Sequence, residues 1–90
     1  MIKEYVKITN KHGLHARPAA NLVKVAGQFK SEITIVKDSL EVNGKSIMGV
    51  MMLAAEPGSE LEFIIKGEDE KEAIKAIREL IANNFYEEQD

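Results

Sequence analysis

The sequence contains no cysteine or tryptophan, and it has only two prolines and two histidines. Without cysteine the chain cannot form disulfides or thiolate metal sites. With His12 and His15 as its only histidines, a zinc site would need carboxylate ligands, so we expect no metal and no cofactor. No apolar run approaches the ~20 residues of a membrane span. Residues 1–7 lack the apolar core of a signal peptide, and we expect a cytoplasmic protein without membrane insertion.

The composition is typical of one folded domain. The 90 residues are 44% hydrophobic, which is too high a fraction for a disordered chain. The net charge of −3 gives no general reason to expect nucleic-acid binding. We predict a single domain over residues 1–90, in which residues 83–90 form a frayed acidic tail.

The hydrophobic pattern predicts the order strand, helix, strand, strand, short helix, strand, helix. Apolar residues alternate around 2–8, 33–35, 40–42 and 61–65, whereas Ala19–Ala26 and Ala73–Ile81 have helical spacing. Glu4 interrupts the first alternation, which places that strand near a sheet edge. Asp38 and Ser39 predict a hairpin turn between the second and third strands. The order predicts an α+β domain with a mostly antiparallel sheet.

Two helix starts can be predicted from capping residues. Asp69 followed by Glu72 has the spacing of a capping box. Ser46 is an N-cap candidate for a short helix over 47–53, which is apolar nearly all round. We expect Val50 and Leu53 to face the core. The other apolar side chains of this short helix are expected to form an exposed patch that meets a partner.

The stretch from Asn10 to Ala20 carries the strongest chemical signal. Gly13 can adopt a left-handed turn, and Pro18 fits the first turn of a helix, where its missing N–H breaks no hydrogen bond. His15 then lies at a helix N-terminus, which can hold a phosphate, and Arg17 can add charge-assisted hydrogen bonds. This spacing predicts a histidine beside an anion site, but it does not show that the histidine is phosphorylated.

Residues 13–19, Gly-Leu-His-Ala-Arg-Pro-Ala, resemble the phosphohistidine site of the HPr family, the phosphocarriers of bacterial sugar phosphotransferase systems. A second block, residues 43–51, resembles the regulatory-serine segment of that family. The spacing of the blocks, the length and residues 67–70 also match. The resemblance implies the HPr-like open-faced β-sandwich, with four antiparallel strands and helices covering one face.

The resemblance also implies roles for individual residues. His15 would carry the phosphoryl group on Nδ1, Arg17 would assist, and the backbone of Ala16 and Arg17 would contact the phosphate. Ser46 would be a regulatory phosphorylation site. Partner docking would involve Lys24, Lys45, Ile47, Met48 and Met51. His12 is interpreted as a surface turn residue, while an influence on His15 through proximity and a contact with the phosphate stay open. Met52 is left open between enlarging the docking patch and packing inward.

The implied function is a phosphoryl relay rather than a stand-alone enzyme. Enzyme I would charge His15, and sugar-specific components of the phosphotransferase system would accept the group. HPr kinase/phosphorylase and a transcription regulator are further expected partners, and we expect a monomer. The alternative within the family is a phosphorylation-controlled regulatory module that is not coupled to sugar transport. A small α+β ligand-binding domain is the lowest-ranked interpretation, because it leaves both sequence blocks unexplained.

Overall fold

The strands and helices follow the predicted order. The computed structural model describes residues 1–86. It consists of one four-stranded sheet and the helices that pack on it. The elements are β1 (Ile2–Lys7), α1 (Ala16–Ala26), β2 (Glu32–Lys37), β3 (Leu40–Asn43), α2 (Ile47–Met52), β4 (Glu60–Lys66) and α3 (Glu70–Ala82), followed by a short 3-10 turn (Asn84–Tyr86).

The sheet is antiparallel throughout, with strand order β1-β4-β2-β3. β1 lies at one edge, which confirms the position that Glu4 predicted. Glu4 shares its side of the strand with the buried Val6. Its Oε2 accepts a hydrogen bond from Nε of Arg78 on α3, at 3.0 Å. The charged residue is therefore accommodated at the inner face of the edge strand by a partner from the covering helix.

The β2–β3 hairpin is closed by the two residues that the sequence indicated. Asp38 and Ser39 have positive φ values of 50° and 72°. Lys37 pairs with Leu40 across this two-residue loop. Two consecutive positive φ values match the right-handed twist of the flanking strands, and aspartate tolerates this conformation better than most side chains. The turn chemistry thus sets the register of the hairpin.

One hydrophobic core joins the inner face of the sheet to the helices. As predicted, Val50 and Leu53 are the α2 side of this core, at 0% and 3% exposure. The largest fully buried side chains come from strands, from helices and from the segments beside them: Phe63, Phe85, Ile8, Leu22, Ile35, Leu61, Ile65, Ile77 and Leu80. Burial of these side chains is the main favourable term for the fold.

Asp69 is the N-cap residue of α3 as predicted, but the predicted capping-box hydrogen bond is not formed. The Asp69 side chain makes no capping hydrogen bond to α3. Its carboxylate instead accepts from the backbone N–H of Lys30 at 2.8 Å, from the N–H of Ser31 at 3.0 Å and from the Ser31 hydroxyl. The backbone of Asp69, at φ −103° and ψ 26°, is not the extended conformation usual for an N-cap. The carboxylate therefore ties the start of α3 to the loop before β2.

These hydrogen bonds predict an acid-dependent contribution to stability. The Ser31 hydroxyl, followed by the Lys30 N–H, lowers the pKa of Asp69 below its ordinary value. A carboxyl whose pKa is lower in the folded state stabilises the fold above its unfolded pKa, and this stabilisation is lost as the pH falls through the folded pKa. Asp69→Asn is expected to lower the thermal midpoint at neutral pH, with a difference from the wild type that shrinks in acid.

Thermal unfolding followed by circular dichroism from neutral to acid pH measures this difference. Glu68→Gln is the matched control, because Glu68 is an exposed carboxylate next to Asp69. The control is expected to follow the wild type across the range. A constant difference between Asp69→Asn and the wild type at every pH would contradict the proposed role of the charge.

The expected frayed tail over 83–90 is corrected at its beginning. Residues 84–86 form the 3-10 turn, and the Phe85 side chain is fully buried in the core. The Phe85 carbonyl accepts a hydrogen bond from Nδ2 of Asn21 on α1, at 2.8 Å. The apolar ring and this bond attach the turn to α1 and α3. The remainder of the expected tail, residues 87–90, lies outside the described residues.

Candidate phosphate-binding turn and adjoining helix surface

The turn before α1 is held by hydrogen bonds on both sides of Gly13. Nδ2 of the buried Asn10 donates to the Gly13 carbonyl at 2.8 Å. The next N–H, of Leu14, donates to the carbonyl of Ala55 at 2.8 Å. Gly13 has a φ of +72°, and a Cβ there would lie 2.5 Å from the Ala55 oxygen. Only glycine fits this position, so the turn presents His15, two residues further on, in a set orientation.

His15 is the N-cap residue of α1, as predicted. Its backbone is extended, at φ −83° and ψ −169°, and its side chain is exposed and makes no capping hydrogen bond. The first intrahelical bond runs from the N–H of Ala19 to the His15 carbonyl, at 2.9 Å. The N–H groups of Ala16 and Arg17 precede this bond, and Pro18 has none. The positive end of the α1 dipole therefore lies beside the imidazole.

The charged and imidazole side chains of this turn are exposed, in contrast to the buried Asn10. Arg17 and Lys11 are exposed cations within two and four residues of His15. His12 is an exposed turn residue, as interpreted, and its ring lies beside that of His15. The centroids of the two imidazole rings are 5.9 Å apart, with an angle of 76° between the ring planes. The turn thus combines two neighbouring imidazoles and a helix N-terminus with two exposed cationic side chains of the same segment.

α2 begins at the predicted cap and exposes the predicted side chains. Oγ of Ser46 accepts from the N–H of Gly49 at 3.1 Å, which is a standard N-cap bond. Met48 is 73% exposed and Met52 65% exposed, so Met52 enlarges the apolar patch rather than packing inward. The chain leaving α2 passes beside the His15 turn, because Ala55 accepts the Leu14 N–H. We call the exposed side chains Ile47, Met48, Met51 and Met52 the α2 patch.

The two basic docking candidates have different surroundings. Lys24 is exposed in the last turn of α1, where its charge complements the helix dipole. Lys45 is half-buried, and its Nζ donates to the Phe29 carbonyl at 2.6 Å. The Lys45 ammonium therefore anchors the loop after α1 to the segment before α2. Nothing in the sequence pointed to this bond, because its partner is a backbone carbonyl in a distant loop.

The described residues offer little for a metal or a membrane. Within residues 1–86, no group of three or more His, Cys, Asp or Glu side chains is placed to hold a metal ion. Over the same range no helix has both the length and the apolar character needed to span a bilayer.

Comparison with known proteins finds similarity over nearly the whole chain. Residues 2–83 match the family model described as the PTS HPr component phosphorylation site. The chain is 50% identical over 88 residues to a phosphocarrier protein HPr of Treponema pallidum, covering 98% of this chain and 100% of the relative. It is 46% identical over 77 residues to the HPr-like protein Crh of Bacillus subtilis, covering 86% of this chain and 91% of the relative.

A solved structure of the same architecture is also similar. The crystal structure of HPr-C-His from Thermoanaerobacter tengcongensis superposes with a TM-score of 0.93 at 47% identity, covering 99% of this chain and 100% of that one. Its agreement confirms the predicted open-faced β-sandwich. With a family model spanning nearly all of the described residues, and relatives near half identity over the full length, the chain belongs to the HPr phosphocarrier family.

Proposed function

We propose that this protein is a cytoplasmic, monomeric phosphocarrier in which His15 receives a phosphoryl group from Enzyme I and passes it to sugar-specific components of the phosphotransferase system. The observation that carries the proposal is the exposed His15 imidazole at the N-terminus of α1, beside the N–H groups of Ala16 and Arg17. The membership of the chain in the HPr family supports the identity of donor and acceptors.

The transfer can be written with the groups of this site. The unprotonated ring nitrogen of His15, Nδ1 in the family, attacks the phosphorus of the donor phosphohistidine on Enzyme I. The new phosphorus–nitrogen bond forms as the bond to the donor ring breaks. The proton that the His15 ring gives up is balanced by the proton that the departing donor ring takes. Imidazole is a good leaving group, so the same exchange runs onward to the next acceptor.

The protein side of the site stabilises the phosphoryl group moderately. The N–H groups of Ala16 and Arg17 would donate to phosphoryl oxygens, and the Arg17 guanidinium would add a charge-assisted bond. Contacts at a helix N-terminus contribute roughly 0.3–1 kcal/mol each, up to ~2 kcal/mol when partly buried. Contributions of this size orient the group and leave it transferable.

The α2 patch is proposed as the docking surface for Enzyme I and for the acceptors. Exposed methionines suit a surface that meets several partners, because a flexible thioether side chain can adapt to different shapes. Met48, Met51 and Ile47 supply the apolar area, and Lys24 supplies charge nearby. Lys45 is proposed to support docking indirectly, because its bond to the Phe29 carbonyl fixes the segment before α2.

Met48→Glu is expected to raise the KM of Enzyme I for this protein about tenfold with little change in kcat. A charge placed in an apolar contact costs on the order of 1.4 kcal/mol or more. Steady-state phosphorylation kinetics with purified Enzyme I measure both constants. Leu40→Glu is the control, because Leu40 is a 39% exposed aliphatic residue of the β2–β3 hairpin. Equal changes in KM for both variants would contradict docking on the α2 patch.

The alternative proposal is a regulatory module, and the similarity to the HPr-like protein Crh favours it as the second candidate. In that function, HPr kinase/phosphorylase would phosphorylate Ser46, and the modified protein would bind a transcription regulator. A phosphate on Ser46 would lie at the N-terminus of α2, where negative charge is favourable. The presence of His15 favours the carrier over relatives that have lost the carrier residue.

The deciding experiment is incubation with Enzyme I and phosphoenolpyruvate, followed by intact mass and an acid-lability test. A gain of one acid-labile phosphate in the wild type, absent from His15→Ala, is the result expected for the carrier. Thermal unfolding of His15→Ala checks that the variant is folded. No gain with an active Enzyme I would reject the carrier and leave the regulatory module, which predicts acid-stable phosphate on Ser46 after incubation with ATP and the kinase.

A further inference from the structure

Two exposed imidazoles contact each other at the start of α1. The His12 and His15 rings meet edge to face, with centroids 5.9 Å apart and planes inclined by 76°. The chain folds back between them at Gly13, which has a left-handed φ of +72° and packs so closely on Ala55 that a Cβ would lie 2.5 Å from the Ala55 oxygen. The His12 ring is therefore held over the same surface as the proposed phosphoryl acceptor by a turn that has little freedom to change.

We propose that His12 binds the phosphoryl group carried by His15, as a cationic hydrogen-bond donor. The inference rests on the proposed carrier function. A phosphoryl group on the His15 ring places its oxygens two bond lengths beyond the ring nitrogen, which spans much of the gap to the neighbouring ring. Protonated imidazole has two N–H donors, and its bonds to phosphate are charge-assisted.

Other charged residues also lie near the proposed phosphoryl group, but they differ from His12 in how their charge depends on pH. Lys11 and Arg17 are exposed cations of the same segment. The loop after α2 packs on Gly13 and brings Glu56, whose Cα lies 3.0 Å from the position of a Gly13 Cβ. The lysine and the arginine keep their charge throughout the neutral range, whereas a histidine gains or loses its charge there. His12 is thus the neighbour of His15 through which pH can change the electrostatics of the phosphorylated site.

Protonation of His12 and phosphorylation of His15 are then linked in both directions. The negative phosphoryl group favours the protonated form of His12, and protonated His12 favours the phosphorylated form of His15 by the same factor. A contribution that depends on a protonated imidazole is present at low pH and is lost as the pH rises. The carrier would therefore hold its phosphoryl group more firmly in a more acidic cell interior.

The test compares the wild type with His12→Asn and His12→Lys. Asparagine keeps a neutral hydrogen-bond donor, and lysine keeps a cation at every pH used. Each protein is equilibrated with Enzyme I, phosphoenolpyruvate and pyruvate at about pH 6 and about pH 8.5, on either side of the usual histidine range. Intact mass gives the phosphorylated fraction. The ratio of equilibrium constants between proteins cancels the pH dependence of the donor.

The wild type is expected to exceed His12→Asn by about fivefold or more at the lower pH and to approach it at the higher pH. His12→Lys is expected to exceed His12→Asn at both. A ratio of wild type to His12→Asn that is one at both pH values, or that does not change with pH, would overturn the inference. Thermal midpoints within the wild-type range confirm that the variants are folded. If the wild type itself takes up no phosphate, the carrier proposal fails first, and the inference falls with it.

Discussion

Gly13→Ala is expected to abolish efficient phosphoryl uptake and to destabilise the fold by about 2–5 kcal/mol. A side chain at a left-handed φ costs roughly 1–2 kcal/mol, and overpacking against neighbouring atoms typically costs roughly 1–3 kcal/mol more. At Gly13 the added Cβ would meet the backbone oxygen of Ala55 at 2.5 Å, and a backbone atom cannot rotate away. Urea unfolding measures the loss of stability.

The same substitution displaces His15, because the turn must move to relieve the collision. Small displacements of a reacting group cost on the order of 100-fold in rate, so the initial rate of phosphorylation by Enzyme I should fall by about that factor. Gly58→Ala is the matched control, since Gly58 has a φ of +92° and nothing within 4 Å of a built Cβ. Normal phosphorylation of Gly13→Ala, or equal destabilisation of both variants, would refute this account of the turn.

Phe85→Ala is expected to destabilise the protein by about 3–5 kcal/mol, the usual range for truncating a buried aromatic side chain. Phe85 is fully buried, and its backbone is held at a positive φ of 60° within a turn that has to be stabilised by tertiary contacts. Removing the ring leaves a cavity between α1 and α3 and removes the reason for that backbone conformation. Urea unfolding at neutral pH measures the change.

Tyr86→Ala provides the comparison within the same turn. Tyr86 has a similar φ of 56°, but its side chain is 64% exposed. Its truncation is expected to change the stability by less than about 1 kcal/mol, as for most surface substitutions. Phe85→Ala with wild-type stability would mean that the segment after α3 is not part of the core.

The sequence predicted the elements whose signals are local. Alternation and helical spacing located the strands and helices, and Asp38-Ser39 located the hairpin turn. Gly13 and Pro18 bracketed His15 and placed it at the start of α1. The N-cap bond of Ser46 was predictable for the same reason, because the donor lies three residues away. Each of these features depends on residues that are close together in the sequence.

The features that the sequence did not predict depend on distant partners. Asp69 was predicted to cap its own helix. Its carboxylate instead accepts hydrogen bonds from Lys30 and Ser31, which are distant in sequence. Phe85 stands among polar and acidic residues, which dominated the interpretation of the last segment. Asn10 is 3% exposed in a turn where asparagine is usually solvated. The proximity of the His12 ring to His15 depends on the fold of Gly13 against Ala55, which no spacing rule describes.

The edge position of β1 has a consequence for synthesis of the chain. Among residues 1–86 the sole strand partner of β1 is β4, which is translated after both α1 and α2. The β2–β3 hairpin, by contrast, joins neighbouring segments and can close as soon as Asn43 is available. A nascent chain therefore carries its first strand without a partner until most of the domain has been made. β1 is thus the first strand to be synthesised, but the β2–β3 hairpin can form before β1 pairs with β4.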